Sequence, residues 1–177
     1  MSKAEHIPVT VLVERRAALS RWADEIFKPV AVVPGREDGP DWQEVPGRDG
    51  VTTFRAGSFG IELHPTEAEA YKYNLTMRNP SVLVVLVPAA GAIPWRLHLV
   101  TLSPYEAEAY LVAGDAIVEP VPIPEHVAMI VSDFADRHYK PEPFKKRKRD
   151  KAPGEEAQLF GKEPIFDRTG GRGGANG

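Results

Sequence analysis

Apolar and polar positions broadly alternate through Pro8-Val9-Thr10-Val11-Leu12-Val13-Glu14, and the β-branched content predicts a strand with one face buried. A polar connection over residues 15–21 leads to a second apolar run, residues 27–33, which reads as another strand. Pro29 inside it has no amide hydrogen to give to a sheet ladder, so this strand belongs at an edge or carries a bulge. Residues 36–41, rich in Gly, Asp and Pro, read as a loop, residues 42–45 as a short strand and residues 46–50 as a turn with two glycines. Residues 51–55 and 58–63 flank Ala56-Gly57 and read as a hairpin, so the first third is expected to be an antiparallel meander. Residues 81–87 are apolar at almost every position, the pattern of a central strand covered on both faces. Over residues 124–139 the period becomes helical. There Val127, Ile130, Val131, Phe134 and His138 fall at i, i+3, i+4, i+7 and i+11, with Asp133, Asp136 and Arg137 mostly opposite.

Between these segments lies a repeat. Leu63-His64-Pro65-Thr66-Glu67-Ala68-Glu69-Ala70-Tyr71 returns 39 positions later, from 63 to 102, as Leu102-Ser103-Pro104-Tyr105-Glu106-Ala107-Glu108-Ala109-Tyr110. Seven of nine residues are identical, enough to mark one local device used twice. The device is a helix start. Ser103 suits the N-cap, Pro104 the first helical position and Glu106 the third, where a carboxylate reaches back to the cap's amide. In the first copy His64 takes the cap position, and Pro65 and Glu67 keep the remaining signals. Helices are predicted over residues 65–75 and 104–113, ended by Asn79-Pro80 and Gly114-Asp115. With strands at residues 59–63, 81–87, 97–102 and 116–121, two similar strand-helix-strand units result. The fold class is α+β: a mixed, mainly antiparallel sheet with three helices.

Composition narrows the setting. The chain has 177 residues, of which 42% are hydrophobic and 27% charged, which suffices for one ordinary core. Its lack of cysteine excludes disulfides, thiolate metal sites and cysteine nucleophiles. No apolar run approaches the roughly 18–20 residues of a membrane span, and Met1-Ser2-Lys3-Ala4-Glu5-His6 lacks the apolar core of a signal peptide. A soluble, cytoplasmic protein is expected. The net charge of −3 conceals an asymmetry: residues 140–177 hold 10 Lys/Arg against 6 Asp/Glu, leaving 12 against 19 for residues 1–139. A single acidic domain over residues 1–140 is therefore expected to carry a basic tail over residues 141–177. The tail's charge run and glycine-rich end cannot bury enough apolar surface to offset ordering entropy, so disorder is expected there.

Catalytic patterns are scarce. The five histidines include no pair at i+3 or i+4, and none sits in a zinc-binding pattern, so no metal site is assigned. Glu67, Glu69, Glu106 and Glu108 could serve as paired carboxylates, but acidic residues gather at helix starts because the dipole and unpaired amides stabilise them. There is no G-x-S-x-G elbow and no P-loop, and the glycines at 170–174 do not precede a helix, so no catalytic residue and no cofactor are assigned. Two clusters invite a binding role. Glu14, Arg15 and Arg16 set a charged strand end near Trp22, a surface suited to an anionic or peptide partner. Lys145, Lys146, Arg147, Lys148 and Arg149 could neutralise phosphates, which would give nonspecific nucleic-acid binding through the tail.

Several blocks together resemble a known family. Val11-Leu12-Val13-Glu14-Arg15-Arg16 with Trp22, then Val30-Ala31-Val32-Val33-Pro34, and residues 63–75 with Tyr71 and Asn74 look like its successive segments. Ser103-Pro104-Tyr105-Glu106-Ala107, Val118-Glu119-Pro120-Val121-Pro122-Ile123-Pro124, and Asp133-Phe134 through His138 to the basic run continue the likeness over residues 8–149. The chain is similar to a bacterial family of unknown function whose members are typically encoded beside formate dehydrogenase and molybdenum-cofactor genes. Phe27 stands where that family usually has a second tryptophan, and Ile123 where it has methionine. Some members carry names tied to molybdopterin-guanine dinucleotide synthesis, but this chain lacks a glycine-rich nucleotidyltransferase fingerprint.

The resemblance implies a non-catalytic accessory protein for maturation or assembly of a molybdenum or tungsten formate dehydrogenase. It would act by binding a dehydrogenase subunit or a maturation factor, with Glu14, Arg15, Arg16, Trp22 and Lys145 to Arg149 as the contacts. The alternative it leaves open is an enzyme of cofactor biosynthesis that handles a nucleotide or a molybdopterin.

Overall fold

The structure is a computed structural model that describes residues 4–18 and 25–141. Within them the chain forms β1 (Glu5–Ala17), β2 (Glu25–Pro34), β3 (Gln43–Val45), β4 (Thr52–Leu63), a 3-10 turn (Pro65–Glu67), α1 (Ala68–Thr76), β5 (Ser81–Pro88), β6 (Trp95–Thr101), α2 (Pro104–Ala113), β7 (Ile117–Pro122) and α3 (Glu125–His138). The class is α+β, as the pattern predicts, with three helices and every strand pairing antiparallel. The strands divide between two sheets, ordered β2-β1-β4-β3 and β6-β5-β7. All these elements lie in the unit Met1–Tyr139.

The first sheet is not the expected meander. β1 is an inner strand, bonded to β2 on one edge and β4 on the other. Alternation puts Ile7, Val9, Val11 and Val13 on one face, all buried, and a 13-residue strand of that kind needs long partners on both edges. β4 supplies one by running unbroken for 12 residues. The hairpin expected at Ala56-Gly57 is instead a bulge, since Val11 pairs with Gly57 and Leu12 with Arg55, leaving Ala56 as the extra residue. Gly57 lies where β4 approaches the second sheet: a Cβ there would meet Asp41 Oδ1 at 3.2 Å and Leu97 of β6 at 3.5 Å. β2 is an edge strand, and its register also shifts beside Pro29, as a missing amide hydrogen requires.

The apolar run of residues 81–87 becomes β5, the middle strand of the second sheet, with Val82, Val84, Val85 and Leu86 fully buried. One apolar core joins both sheets. α3 enters it with Val127, Val131, Phe134 and Ala135, and α1 with Ala68 and Tyr71. Phe134 lies 6.1 Å from the Tyr71 ring, and Lys72 Nζ donates to Asp136 Oδ1 at 2.6 Å, so α1 and α3 pack as a pair. Asn74 ties α1 to β5 from both sides of its amide: Nδ2 donates to the Ser81 carbonyl at 2.9 Å, and Oδ1 accepts from the Ser81 amide at 3.2 Å.

The two strand-helix-strand units are present as β4-α1-β5 and β6-α2-β7. The first crosses from one sheet to the other; the second leaves and re-enters the same sheet on either side of β5. Their helix starts depart from the expected capping box. Ser103 Oγ is buried without a hydrogen-bond partner, and neither Ser103 nor His64 makes a side-chain cap. Thr101, two residues before the cap, takes over: its Oγ accepts the Ser103 amide at 2.9 Å and donates to the Glu106 carboxylate. The last β6 residue is held by the sheet, so its hydroxyl is already in place when the chain turns. In the first copy the equivalent tie runs the other way along the chain. The His64 amide donates to the buried Tyr71 hydroxyl at 2.9 Å, and burial pushes that phenol's pKa up to about 12.

Thr101→Val should therefore destabilise the fold by about 1–2 kcal/mol, whereas Ser103→Ala should cost less than about 0.5 kcal/mol, because its hydroxyl is buried unpaired. Urea denaturation of the two variants checks this; equal losses would return the capping role to Ser103.

Candidate functional site

The charged end of β1 is largely engaged within the fold. Glu14 is 8% exposed, and two guanidinium groups clasp it: Arg16 Nη2 at 2.6 Å, and Arg48 through Nε at 3.3 Å and Nη2 at 2.9 Å. Arg48 comes from the two-glycine turn after β3. The hydrogen bond from Arg48, helped by Arg16 and opposed by burial, holds the Glu14 carboxyl below its ordinary value. Arg15 projects to the opposite face, 5.0 Å above the Phe54 ring and 3.6 Å from Glu25. Beneath it Trp42 sits edge-on to Phe27 at 6.2 Å and to Phe54 at 5.8 Å. The structure thus places Glu14 and Arg16 on one face and Arg15 on the other. Trp22, Lys145, Lys146, Arg147, Lys148 and Arg149 lie outside the described residues.

A polar cleft of about 310 Å³ opens where the loop after β2 folds over β4. Arg36, Glu37, Asp38, Asp41, Arg55 and Ser58 provide its polar lining. Arg55 is committed to holding the loop, donating to Glu37 Oε1 at 3.2 Å, to the Asp38 carbonyl at 3.0 Å and to Gln43. With three carboxylates against Arg36 and a guanidinium already bonded, the cleft is poorly suited to phosphate. Among the described residues no group of three or more His, Cys, Asp or Glu side chains could hold a metal ion.

A third feature was not anticipated. α2 packs on the second sheet through Ala107, which is fully buried, and through Tyr110, whose hydroxyl lies 2.7 Å from His98 Nε2 on β6. Tyr105, Ala109 and Val112 stand at i, i+4 and i+7 on the side away from Ala107. Tyr105 is 77% exposed, Val112 79% and Leu111 61%. The helix therefore turns apolar side chains to solvent, inverting the usual amphipathic arrangement. The signal was present in the spacing of these residues, but a segment with apolar residues on more than one side does not show which face the fold covers.

An α+β protein with two antiparallel sheets on one core and an uncovered apolar helix is the class these observations define. Residues 8–148 match the family described as "Protein of unknown function (DUF3305)", and the chain belongs to that family. No curated protein and no solved structure matches it. Among the described residues no helix is long and apolar enough to cross a membrane.

The clasp on Glu14 yields a pH-dependent prediction. Because its folded pKa is depressed, its stabilisation is fully present above the ordinary carboxylate value of 4.5 and is lost as pH falls through the lower folded value. Both arginines are substantially exposed, which reduces the interaction, so Glu14→Gln should cost about 1–2 kcal/mol at pH 7. The deficit measured by urea unfolding should shrink below pH 4; a deficit independent of pH would rule out the ion pair as its source.

Proposed function

We propose that this protein is a non-catalytic accessory factor that acts by binding another protein, and that its partner is a subunit or maturation factor of a molybdenum- or tungsten-dependent formate dehydrogenase. The observation that carries the binding role is the outward apolar face of α2. Exposing Tyr105 and Val112 together on one face is unfavourable in water, and such faces occur where another surface covers them. The choice of partner is supported by the sequence's resemblance to a family typically encoded beside formate dehydrogenase and molybdenum-cofactor genes. Arg15 and Arg16 at the end of β1, and Lys145 to Arg149, are secondary contacts in this reading and would speed and orient the encounter. The setting in which such an enzyme matures makes the cytoplasm the proposed location.

Affinity-tagged full-length protein, expressed in its own organism during growth on formate, should retrieve a formate dehydrogenase subunit or a factor of its maturation. Retrieval of neither, from cells in which the dehydrogenase is abundant, would overturn the choice of partner.

A further inference from the structure

The outer face of α2 stands in an electrically one-sided setting. Residues 97–136, a run of 40, contain no Lys or Arg and seven Asp or Glu. Elsewhere in the run Glu119 lies 3.9 Å from Lys28 and Asp136 2.6 Å from Lys72 across the fold, and Asp133 lies 3.0 Å from Arg137 on its own helix, while Glu125, at the start of α3, has no ion pair among the described residues. Around α2 the balance is different. Among the described residues Glu106, Glu108 and Asp115 have no ion-pair partner, and only the Glu106 carboxylate is hydrogen-bonded, to Thr101.

The helix end adds to this. The last turn of α2 carries no basic residue, and the helix closes on Gly114 with φ 82°, followed by Asp115. Carbonyls of a last turn concentrate partial negative charge, which a nearby cation stabilises. Nothing in α2 supplies that cation. A patch of Tyr105, Ala109 and Val112 bordered by Glu108, Asp115 and an uncompensated helix C-terminus is therefore complementary to apolar side chains flanked by Lys or Arg. A second copy docking through the same face would set its acidic residues against these, which disfavours self-pairing.

We infer that the outer face of α2 is a docking surface for a partner-protein segment in which apolar anchors are flanked by lysine or arginine. The apolar anchors cover Tyr105 and Val112, while the basic flanks neutralise Glu108 and Asp115 and cap the helix end. This rests on the reading that the protein acts by binding another protein, but not on which protein that is.

Site-specific photo-crosslinking in the full chain tests it. The crosslinker p-benzoylphenylalanine replaces Tyr105 or Val112, or, as a control, exposed Glu44 on β3, in cells grown on formate, and the crosslinked peptides are sequenced by mass spectrometry. The expected result is capture at 105 and 112, and not at 44, of a segment with apolar residues flanked by Lys or Arg. Adding Glu108→Lys and Asp115→Lys, both on the exposed surface, should lower that yield by about tenfold without changing the unfolding midpoint appreciably. Such capture from a protein unrelated to formate dehydrogenase would uphold the surface and overturn the proposed partner. Capture of a dehydrogenase subunit at 44 alone would do the reverse. Crosslinks to a second copy, to an acidic segment, or to nothing at the helix positions would overturn the inference, as would a yield unmoved by charge reversal.

Discussion

The apolar row Ile7, Val9, Val11 and Val13 on β1 has to be kept from water, and much of the architecture follows from how that is done. Burying side chains of this size is worth about 1.5–3 kcal/mol each, so four in a row act as a strong organising constraint. β2 and β4 extend the row sideways with Phe27, Val32, Phe54, Ile61 and Leu63. A four-stranded sheet with one apolar face still needs a lid, and a three-stranded sheet built on β5 needs one too. Each contributes to a common core, with α3 closing it through Val127, Val131 and Phe134. The bulge at Ala56 and the bare Gly57 belong to this arrangement, since they let Leu97 of the second sheet come close to β4. Lys28 and Glu119 add a bridge between β2 and β7 at 3.9 Å.

The same repeat unit meets two different fates in this frame. Its first copy leads into α1, which α3 covers, so Tyr71 is 1% exposed and its hydroxyl serves the backbone of its own helix start. Its second copy leads into α2, whose inner side rests on the sheet while the outer side stays open. Identical Glu-Ala-Glu-Ala-Tyr stretches thus end in different environments, because covering depends on what lies across the fold and not on the repeat itself.

Charge follows the same division. Where elements meet, opposite charges are paired, as at Glu5 with Arg137, Lys72 with Asp136 and Glu14 with two arginines. These pairs lie partly or largely in solvent and set orientation more than stability, Glu14 excepted because it is buried. Glu14, which as part of a sequence cluster suggests an accessible charged patch, is drawn inward by Arg48, a residue 34 positions away, while Arg16 stays exposed. Around α2, by contrast, Glu106, Glu108 and Asp115 have no ion-pair partner among the described residues, beside exposed Tyr105 and Val112.

Much of the fold was legible in the chain because local rules decide local elements. The period-2 run at residue 8, the all-apolar run at residue 81 and the helical stripe ending at His138 became β1, β5 and α3, and Pro104 with Gly114 bounded α2 at both ends. The candidate site was legible only in part: Glu14, Arg15 and Arg16 were visible as a cluster, but Arg48 and Arg55, the groups that engage this face and the neighbouring loop, were not. By itself the sequence determined which segments are strands and helices, the α+β class and the duplicated helix start, since propensity, periodicity and proline act within a few residues. Only the tertiary structure decided that Ala56-Gly57 is a bulge in one long strand, that the strands form two sheets with β1 inside the first, and that Thr101 ties the second helix start. It also decided that Tyr71 of α1 is buried against α3 while Tyr105 and Val112 of α2 are left exposed. Each of these depends on pairing and burial between residues far apart in the chain, which no local pattern encodes.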